Sequence, residues 1–322
     1  MRENMLDSRS SHQLCTTAML VVNPNAGSYA PNAHHIATTC DFLQQHGWQA
    51  TIQFTQCAGD AARFTREAIA QQIDIVIAVG GDGTIHEIIQ ELAGSQTALG
   101  VLPCGTVNVW VREAGIPLDL QKARELLVQG QRRQIDLGKI NDHYFLLMVG
   151  IGLDGEITQK VERKGLKRLG IVGYMLAAIW FGLHYSAFRT KLRFRKHTIK
   201  MNALQIVIGN TQLYAGALKY TWRARCDDGL LDVCVVRKQS RLGRIFIAID
   251  FMLGRKQRQQ WVHYEVEDSI QLLTRTPIAI QVDGEPMGYT AGNGAPTIIC
   301  VVPHALHVIV PHNLPKELFS QA

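Results

Sequence analysis

Three apolar runs in the first third of the chain end in the same way. VVNPNAG (21–27), AVGGDGT (78–84) and VLPCGT (101–106) each pass from a strand-like stretch into a polar, glycine-containing loop. Stretches with helical spacing separate them. Strand, loop and helix in alternation build a parallel sheet, whose strands present their carboxyl ends along one shared edge, and ligands bind at that edge. This repetition confines the first half of the chain to the α/β class. Gly80, Gly81 and Gly83 around Asp82 imply either left-handed backbone or close approach of a ligand. An ordinary turn between strand and helix accounts for that loop equally well when it is taken alone.

The strands expected in this half are 19–23, 48–55, 74–81 and 99–105. Residues 33–46, 59–72 and 84–94 read as helices, with Asp60 as an expected N-cap and Gly94 closing the third. From about Gln134 the pattern changes. IDLGKI, YFLLMVGIG, KLRFR, NALQIVIGN, LLDVCVVR, SIQLLT, IAIQVDG and TIICVV are short strands divided by turns, as in an antiparallel sandwich carrying one or two helices. The tail HVIVPHNLPKEL (307–318) is expected to return to the first domain. The expected division is therefore an α/β domain over 15–138 with a return at 303–318, and a β-sandwich over 139–302.

A chain of 322 residues can support two such cores, and 47% apolar with 19% charged residues is a globular composition. Seven scattered cysteines, odd in number and without a CxxC pair, predict reduced thiols in a cytosolic protein rather than a disulfide framework. Glu3 and Asp7, with no early apolar core, argue against a signal peptide.

The net charge of +6 is concentrated. Residues 160–200 hold eleven Lys/Arg against Glu162, and residues 237–258 hold seven against Asp250. Such a surface attracts polyanions, either nucleic acid or anionic headgroups. No helix-turn-helix, zinc finger or RNP-like pattern accompanies it, which disfavours nucleic acid. LGIVGYMLAAIWFGLHYSAF (169–188) lacks charge altogether and has the hydropathy of a transmembrane candidate. Three glycines, His184 and Ser186 dilute it, and a span would set the two halves on opposite sides of a bilayer. A buried or interfacial helix between Lys164, Lys167, Arg168 and Arg189, Lys191 is the expectation.

Several motifs carry chemistry. GxxxxGK[ST] is absent. The GxGxxG at Gly150, Gly152 and Gly155 follows a strand, but it lies outside the α/β half and lacks a correctly spaced ribose-binding acid, so no dinucleotide site is expected there. His304 and His307 have ligand spacing without a third ligand nearby. Asp227-Asp228-Gly229-Leu230-Leu231-Asp232 is an acidic turn; a polar hairpin explains it, and so does a hard cation such as Mg²⁺. Val282-Asp283-Gly284-Glu285-Pro286 contains a DG hairpin turn, which accounts for Asp283 and Gly284 but not for Glu285.

Together, VVNPNAG, GGDGT, LPCGT, GIGLDG, DDGLLD and VDGEP, in this order over residues 19–311, resemble the bacterial lipid kinases of the diacylglycerol kinase catalytic-domain family. The superfamily includes the sphingosine kinases. The resemblance implies an α/β nucleotide-binding domain, a β-sandwich and an active site in the cleft between them. It implies ATP contacts at Asn23, Pro24, Asn25, Ala26, Gly27, Thr55, Gly80, Gly81, Asp82, Gly83, Thr84, Glu87 and Thr106. It also implies Asp82 beside the phosphates and in a Mg²⁺ network, with Asp136 a less secure member. A structural Mg²⁺ would be held by the Asp228 carboxylate and the carbonyls of Arg225 and Leu230, and Glu285 would be the general base. The implied reaction is transfer of the γ-phosphoryl of ATP to a lipid hydroxyl, most simply diacylglycerol to phosphatidic acid in phospholipid biosynthesis. Expected partners are the lipid substrate and an anionic membrane surface, met peripherally from the cytoplasm, with homodimerisation left open.

One departure matters. Many members read GTxNDFA where this chain has Gly105-Thr106-Val107-Asn108-Val109-Trp110-Val111, so Val109 replaces an acid. The identity of the lipid is thereby open among diacylglycerol, a sphingoid base, phosphatidylglycerol and a prenyl or acyl alcohol. Two further readings remain, a soluble NAD kinase-like enzyme and a nucleotide-binding regulator that has lost catalysis.

Overall fold

The computed structural model describes residues 15–163, 182, 184–214, 218–240, 242–244 and 262–320. Strands β1 (Thr17–Val22), β2 (Gln49–Phe54), β3 (Ile75–Gly80) and β4 (Ala98–Pro103) form the parallel sheet, in the spatial order β2-β1-β3-β4. Helices α1 (Tyr29–Ala37), α2 (Thr39–Gln45), α3 (Asp60–Ala70), α4 (Asp82–Leu92), α5 (Val109–Glu113) and α6 (Leu120–Gln129) connect or follow them. Period-2 alternation along each strand decides which layer it feeds. Met19, Val21, Val76, Ala78, Leu99 and Val101 pack against α3 and α4. Leu20, Val22, Ile77, Val79 and Leu102 face Ile36, Leu43, Ala123 and Leu127 of α1, α2 and α6. The result is the three-layer α/β arrangement the loops imply.

The second half is antiparallel. It comprises β5 (Gln131–Ile140), β6 (His143–Phe145), β7 (Met148–Gly152), α7 (Leu153–Arg163), β8 (Phe188–Arg193), β9 (Thr198–Gly209), β10 (Leu213–Tyr214), β11 (Leu218–Lys219), β12 (Leu231–Arg237), β13 (Val262–Glu267), β14 (Ser269–Thr274), β15 (Ala279–Val282), β16 (Glu285–Tyr289) and β17 (Pro296–Val310). Val149, Ile151, Ile206, Ile208, Leu231, Val233, Ile270, Leu272 and Ile280 make the sandwich core. Strand β17 joins the halves. Its first part pairs with β14, and His307 and Val308 lie parallel to Ala98 and Leu99 of β4. One sheet therefore runs from β16 to β2. Beyond it, Leu314, Leu318 and Phe319 pack into the α3/α4 side of the first core.

Two local expectations change. The single helix over 33–46 is two helices broken at Thr38, where Thr38 Oγ1 and Thr39 Oγ1 both donate to the His35 carbonyl (3.1 and 2.9 Å) and compete with the helical ladder. Gly59, at φ 88°, occupies the N-cap of α3 in place of Asp60. Asp60 instead accepts the amides of Gln56 and Cys57 (2.8 and 3.1 Å), which fixes the preceding turn. All seven cysteines are free. Among the described residues, no helix is long and apolar enough to cross a membrane. Of the apolar stretch 169–188, residues 169–181 and 183 lie outside the described residues, as do Lys164, Lys167, Arg168 and residues 245–261 of the second basic stretch.

Candidate active site

The three glycine loops meet at the carboxyl edge of the sheet. Asn23 donates its backbone N–H to Val79 (2.9 Å) and its side chain to Thr84 Oγ1 (3.3 Å), which ties the first loop to the second. Asn23 Oδ1 also accepts the Asn25 amide (3.0 Å), and Ala26 N–H bonds the Asn23 carbonyl (3.1 Å), so Pro24, Asn25 and Ala26 form a closed turn. A side chain on Gly27 would strike Thr106 Oγ1 of the third loop at 2.8 Å. Thr55, at the end of β2, bonds the Val22 carbonyl.

Close approach, not left-handed backbone, explains the glycines of GGDGT. None of Gly80, Gly81 and Gly83 has a positive φ. A Cβ on Gly81 would meet the Gly105 backbone at 3.0 Å, so two glycines let the second and third loops touch. A Cβ on Gly83 would lie 3.3 Å from Glu285 Oε1. Residues about two hundred positions apart thus share one wall.

Asp82 begins α4, yet its carboxylate turns to the third loop. Oδ1 accepts the Val109 and Trp110 amides (2.9 and 3.4 Å) and Oδ2 the Val109 amide (3.1 Å), at the N-terminus of α5. Burial raises its pKa, the amides oppose this, and the Asp283 carboxylate adds to the rise. Val109 itself is buried in the first core, so it contributes its backbone rather than a side chain to the cleft. Glu87 is likewise engaged: its Oε2 accepts the amides of Gly59 and Ala61 (3.0 and 3.3 Å) at the start of α3.

The VDGEP turn is held from two sides, by groups the sequence did not single out. Asp283, left-handed at φ 50°, accepts the amides of Leu146 (2.9 Å), Leu147 (2.8 Å) and Met148 (3.0 Å). His86 of α4 reaches the same carboxylate at 3.2 Å. On the other side, Gln281 accepts the Gly284 amide (2.7 Å) and donates to Asp154 Oδ2 (2.7 Å), while Tyr214 donates to Asp154 Oδ1. Asp154 belongs to the GxGxxG sequence, whose glycines therefore have a packing role. A side chain on Gly150 would overlap Asp154 and Gln281, and one on Gly155 would overlap the backbone of Ala279 in β15.

The acidic turn forms a second constellation. Asp136, fully buried, accepts Gly229 N–H with Oδ2 (2.7 Å) and His304 N–H with Oδ1 (2.8 Å). Both oxygens are thus engaged by backbone. Asp228 caps its own turn through the Leu230 amide (3.1 Å). Burial, with Asp136 and Asp227 nearby, pushes its pKa up to about 6. A cation beside Asp228 would relieve that crowding, and carboxylate oxygen is what a hard divalent ion takes. Among the described residues no cluster of three or more His, Cys, Asp or Glu could hold a metal, His304 and His307 included. Asn210, fully buried, bridges the Asp136 carbonyl (2.9 Å) and the Leu146 carbonyl (3.1 Å). A continuous chain of bonds therefore runs from the acidic turn through Asp136, Asn210, Leu146 and Asp283 to His86.

Comparison with known proteins bears on the family and the fold. The diacylglycerol kinase catalytic domain model matches residues 17–140, and the YegS C-terminal NAD kinase beta sandwich-like domain model matches residues 147–310. A diacylglycerol kinase of Bacillus subtilis (strain 168) is 27% identical over 304 residues, covering 94% of this chain and 98% of the relative. A diacylglycerol kinase of Staphylococcus saprophyticus is 29% identical over 258 residues, covering 78% and 83%. A solved structure from Bacillus anthracis str. Sterne superposes with a TM-score of 0.79 at 25% identity, covering 93% of this chain and 98% of the other.

Proposed function

The chain belongs to the diacylglycerol kinase catalytic-domain family of bacterial lipid kinases, and from that premise we propose that it transfers the γ-phosphoryl of ATP to a lipid hydroxyl with the help of Mg²⁺. Diacylglycerol is the proposed acceptor, as the names of the relatives suggest. The observation that carries the reading is the meeting of Glu285 Oε1 with Gly83 across the cleft. A lipid hydroxyl is a weak nucleophile, and Glu285 accepts its proton as the oxygen attacks. The loops at Asn23–Gly27, Gly80–Thr84 and Thr106 approach closely enough for backbone amides to cradle phosphate oxygens, with the N-terminus of α4 adding its dipole. Asp82 serves this site by locking the third loop to the second, and Glu87 by fixing α3. Asp228 with the Arg225 and Leu230 carbonyls would hold a structural Mg²⁺, and Asp136 shapes that turn from behind. Mg²⁺ bound with the nucleotide supplies neutralising charge during transfer.

The test is transfer of labelled phosphate from ATP to a panel of lipids, with products identified by mass, and NAD included as an acceptor. We expect phosphatidic acid from the wild type. Glu285→Gln should lower kcat by about 10²–10⁴ while ATP affinity and melting temperature stay unchanged. Activity surviving the substitution removes Glu285 as base, transfer to NAD alone supports the soluble-kinase reading, and transfer to nothing supports a regulator.

Access to such a substrate requires a membrane surface. On the face formed by β8, β9 and β14, Lys191 stands opposite Lys200 and Leu273 in register. A recess of about 510 Å³ there is lined by Arg189, Lys191, Lys200, Asn202, Thr274 and Arg275. Like charges placed opposite each other on a sheet repel, and anionic headgroups relieve that repulsion. We read this face as part of a peripheral membrane contact made from the cytoplasmic side.

A further inference from the structure

His86 lies four residues after Asp82, one turn into α4, and no feature of the motif alone requires a histidine there. Its Nδ1 is 3.2 Å from Asp283 Oδ2, with side-chain exposures of 18% for His86 and 2% for Asp283. A carboxylate only accepts, so Nδ1 carries the hydrogen whether the ring is neutral or charged. Asp283 does not need this donor to be satisfied, because three backbone amides at 146–148 already hold it. Those amides tie the turn to β7 and its approach, within the second half of the chain. The His86 bond ties it to the helix that carries the GGDGT loop.

Gln90, on the same face one turn further along, reinforces the attachment. It donates to the Tyr144 carbonyl (2.8 Å) and accepts the Tyr144 amide (3.0 Å). Residues spaced by four share a helix face, so α4 is fastened to the second half at two successive turns. Its N-terminal end then brings Gly83 against Glu285. From this geometry we propose that His86 is a positioning residue for phosphoryl transfer, holding the Asp283–Glu285 turn in register with the Gly80–Thr84 loop. The proposal rests on the kinase reading above.

The electrostatics give the pair a pH signature. Burial disfavours the charged ring, but Asp283 through its bond and charge, then Glu285 and Glu87, outweigh this and raise the His86 pKa. For a raised histidine the extra stabilisation is complete below the unfolded value, about 6.5, and is lost as pH rises through the folded value. The bond survives above that point as a weaker neutral one.

The experiment compares wild type with His86→Asn and His86→Leu on the lipid that the wild type phosphorylates, from pH 6 to 9, alongside the His86 NMR titration. Asparagine can place an amide donor where Nδ1 lies; leucine cannot. His86→Leu should lower kcat by about a hundredfold with ATP KM changed by less than about twofold. His86→Asn should recover most of that loss and should lack the alkaline decline of the wild type. In the wild type the His86 resonance should titrate above its ordinary range, and Asp283→Asn should bring it down. A kcat for His86→Leu within about twofold of wild type, equal losses in both variants, or losses that merely follow the folded fraction would each overturn the role. Absence of lipid phosphorylation by the wild type itself is a separate result, which overturns the kinase reading and this role with it.

Discussion

At the scale of single residues, the site is built by backbone contact as much as by side-chain chemistry. Gly81 and Gly105 leave no room for a side chain between their loops, and Gly83 leaves Glu285 its place. Asp82 shows how far a motif can be read. Its presence between glycines suggested a charge held for the phosphates, whereas in the fold its carboxylate collects the amides of Val109 and Trp110. That assignment is testable. Asp82→Ala leaves buried amides without their acceptor, a cost of about 1–3 kcal/mol, so the melting temperature should fall by several degrees even without nucleotide. An unchanged melting temperature with lost activity would instead reserve Asp82 for the substrate. The sequence announced Asp82 and Glu285 because glycine and turn chemistry isolate them. His86 and Asn210 were silent, and Asp283 was legible only as half of a DG turn, since each acts through partners more than sixty residues away, and a local pattern holds no trace of that.

At the scale of elements, strands were more legible than the devices that aim them. Continuous runs of Val, Ile and Leu foretold β1, β3, β4, β7, β12 and the second half of β9, because both faces of those segments are buried. The break at Thr38 was not foreseen, since threonine hydroxyls compete for carbonyls only once a helix is already forming. The GxGxxG stretch was not read as a dinucleotide site, and its structural use emerges only from packing: Gly150 clears space for Asp154, which holds Gln281, which holds Gly284. That relay makes the turn before Glu285 rigid. Gln281→Leu removes both bonds and leaves Asp154 and the Gly284 amide short of partners inside the fold. A loss of about 1–3 kcal/mol follows, measurable by denaturant unfolding. A fall in kcat larger than the lost folded fraction should accompany it, because Glu285 directly follows Gly284. If unfolding shifts and kcat per folded molecule does not, the relay is purely structural.

At the scale of the whole molecule, one strand makes two halves into one site. β17 leaves the sandwich at β14 and enters the parallel sheet beside β4, and the chain after it packs into the first core. Domain limits of 15–138 with a return at 303–318, and 139–302, remain our proposed division; the sheet itself is continuous across it. On the proposed membrane contact, the same continuity would orient the molecule at a bilayer. The β8–β9–β14 face is hydrogen-bonded into the sheet that ends at the phosphate loops, so anchoring it would fix the cleft relative to the lipid. Lys191 and Lys200, side by side in register, are the pair whose repulsion an anionic surface would relieve most. Each cation near such a surface contributes about 1 kcal/mol. The double substitution Lys191→Glu with Lys200→Glu should therefore cut binding to phosphatidylglycerol-containing vesicles by more than about tenfold. Wild-type binding should weaken as salt rises and the Debye length shrinks to about 8 Å at 0.15 M, while activity on a detergent-dispersed short-chain lipid stays unchanged in the variant. Vesicle binding that ignores both salt and the substitutions would move the contact off this face altogether.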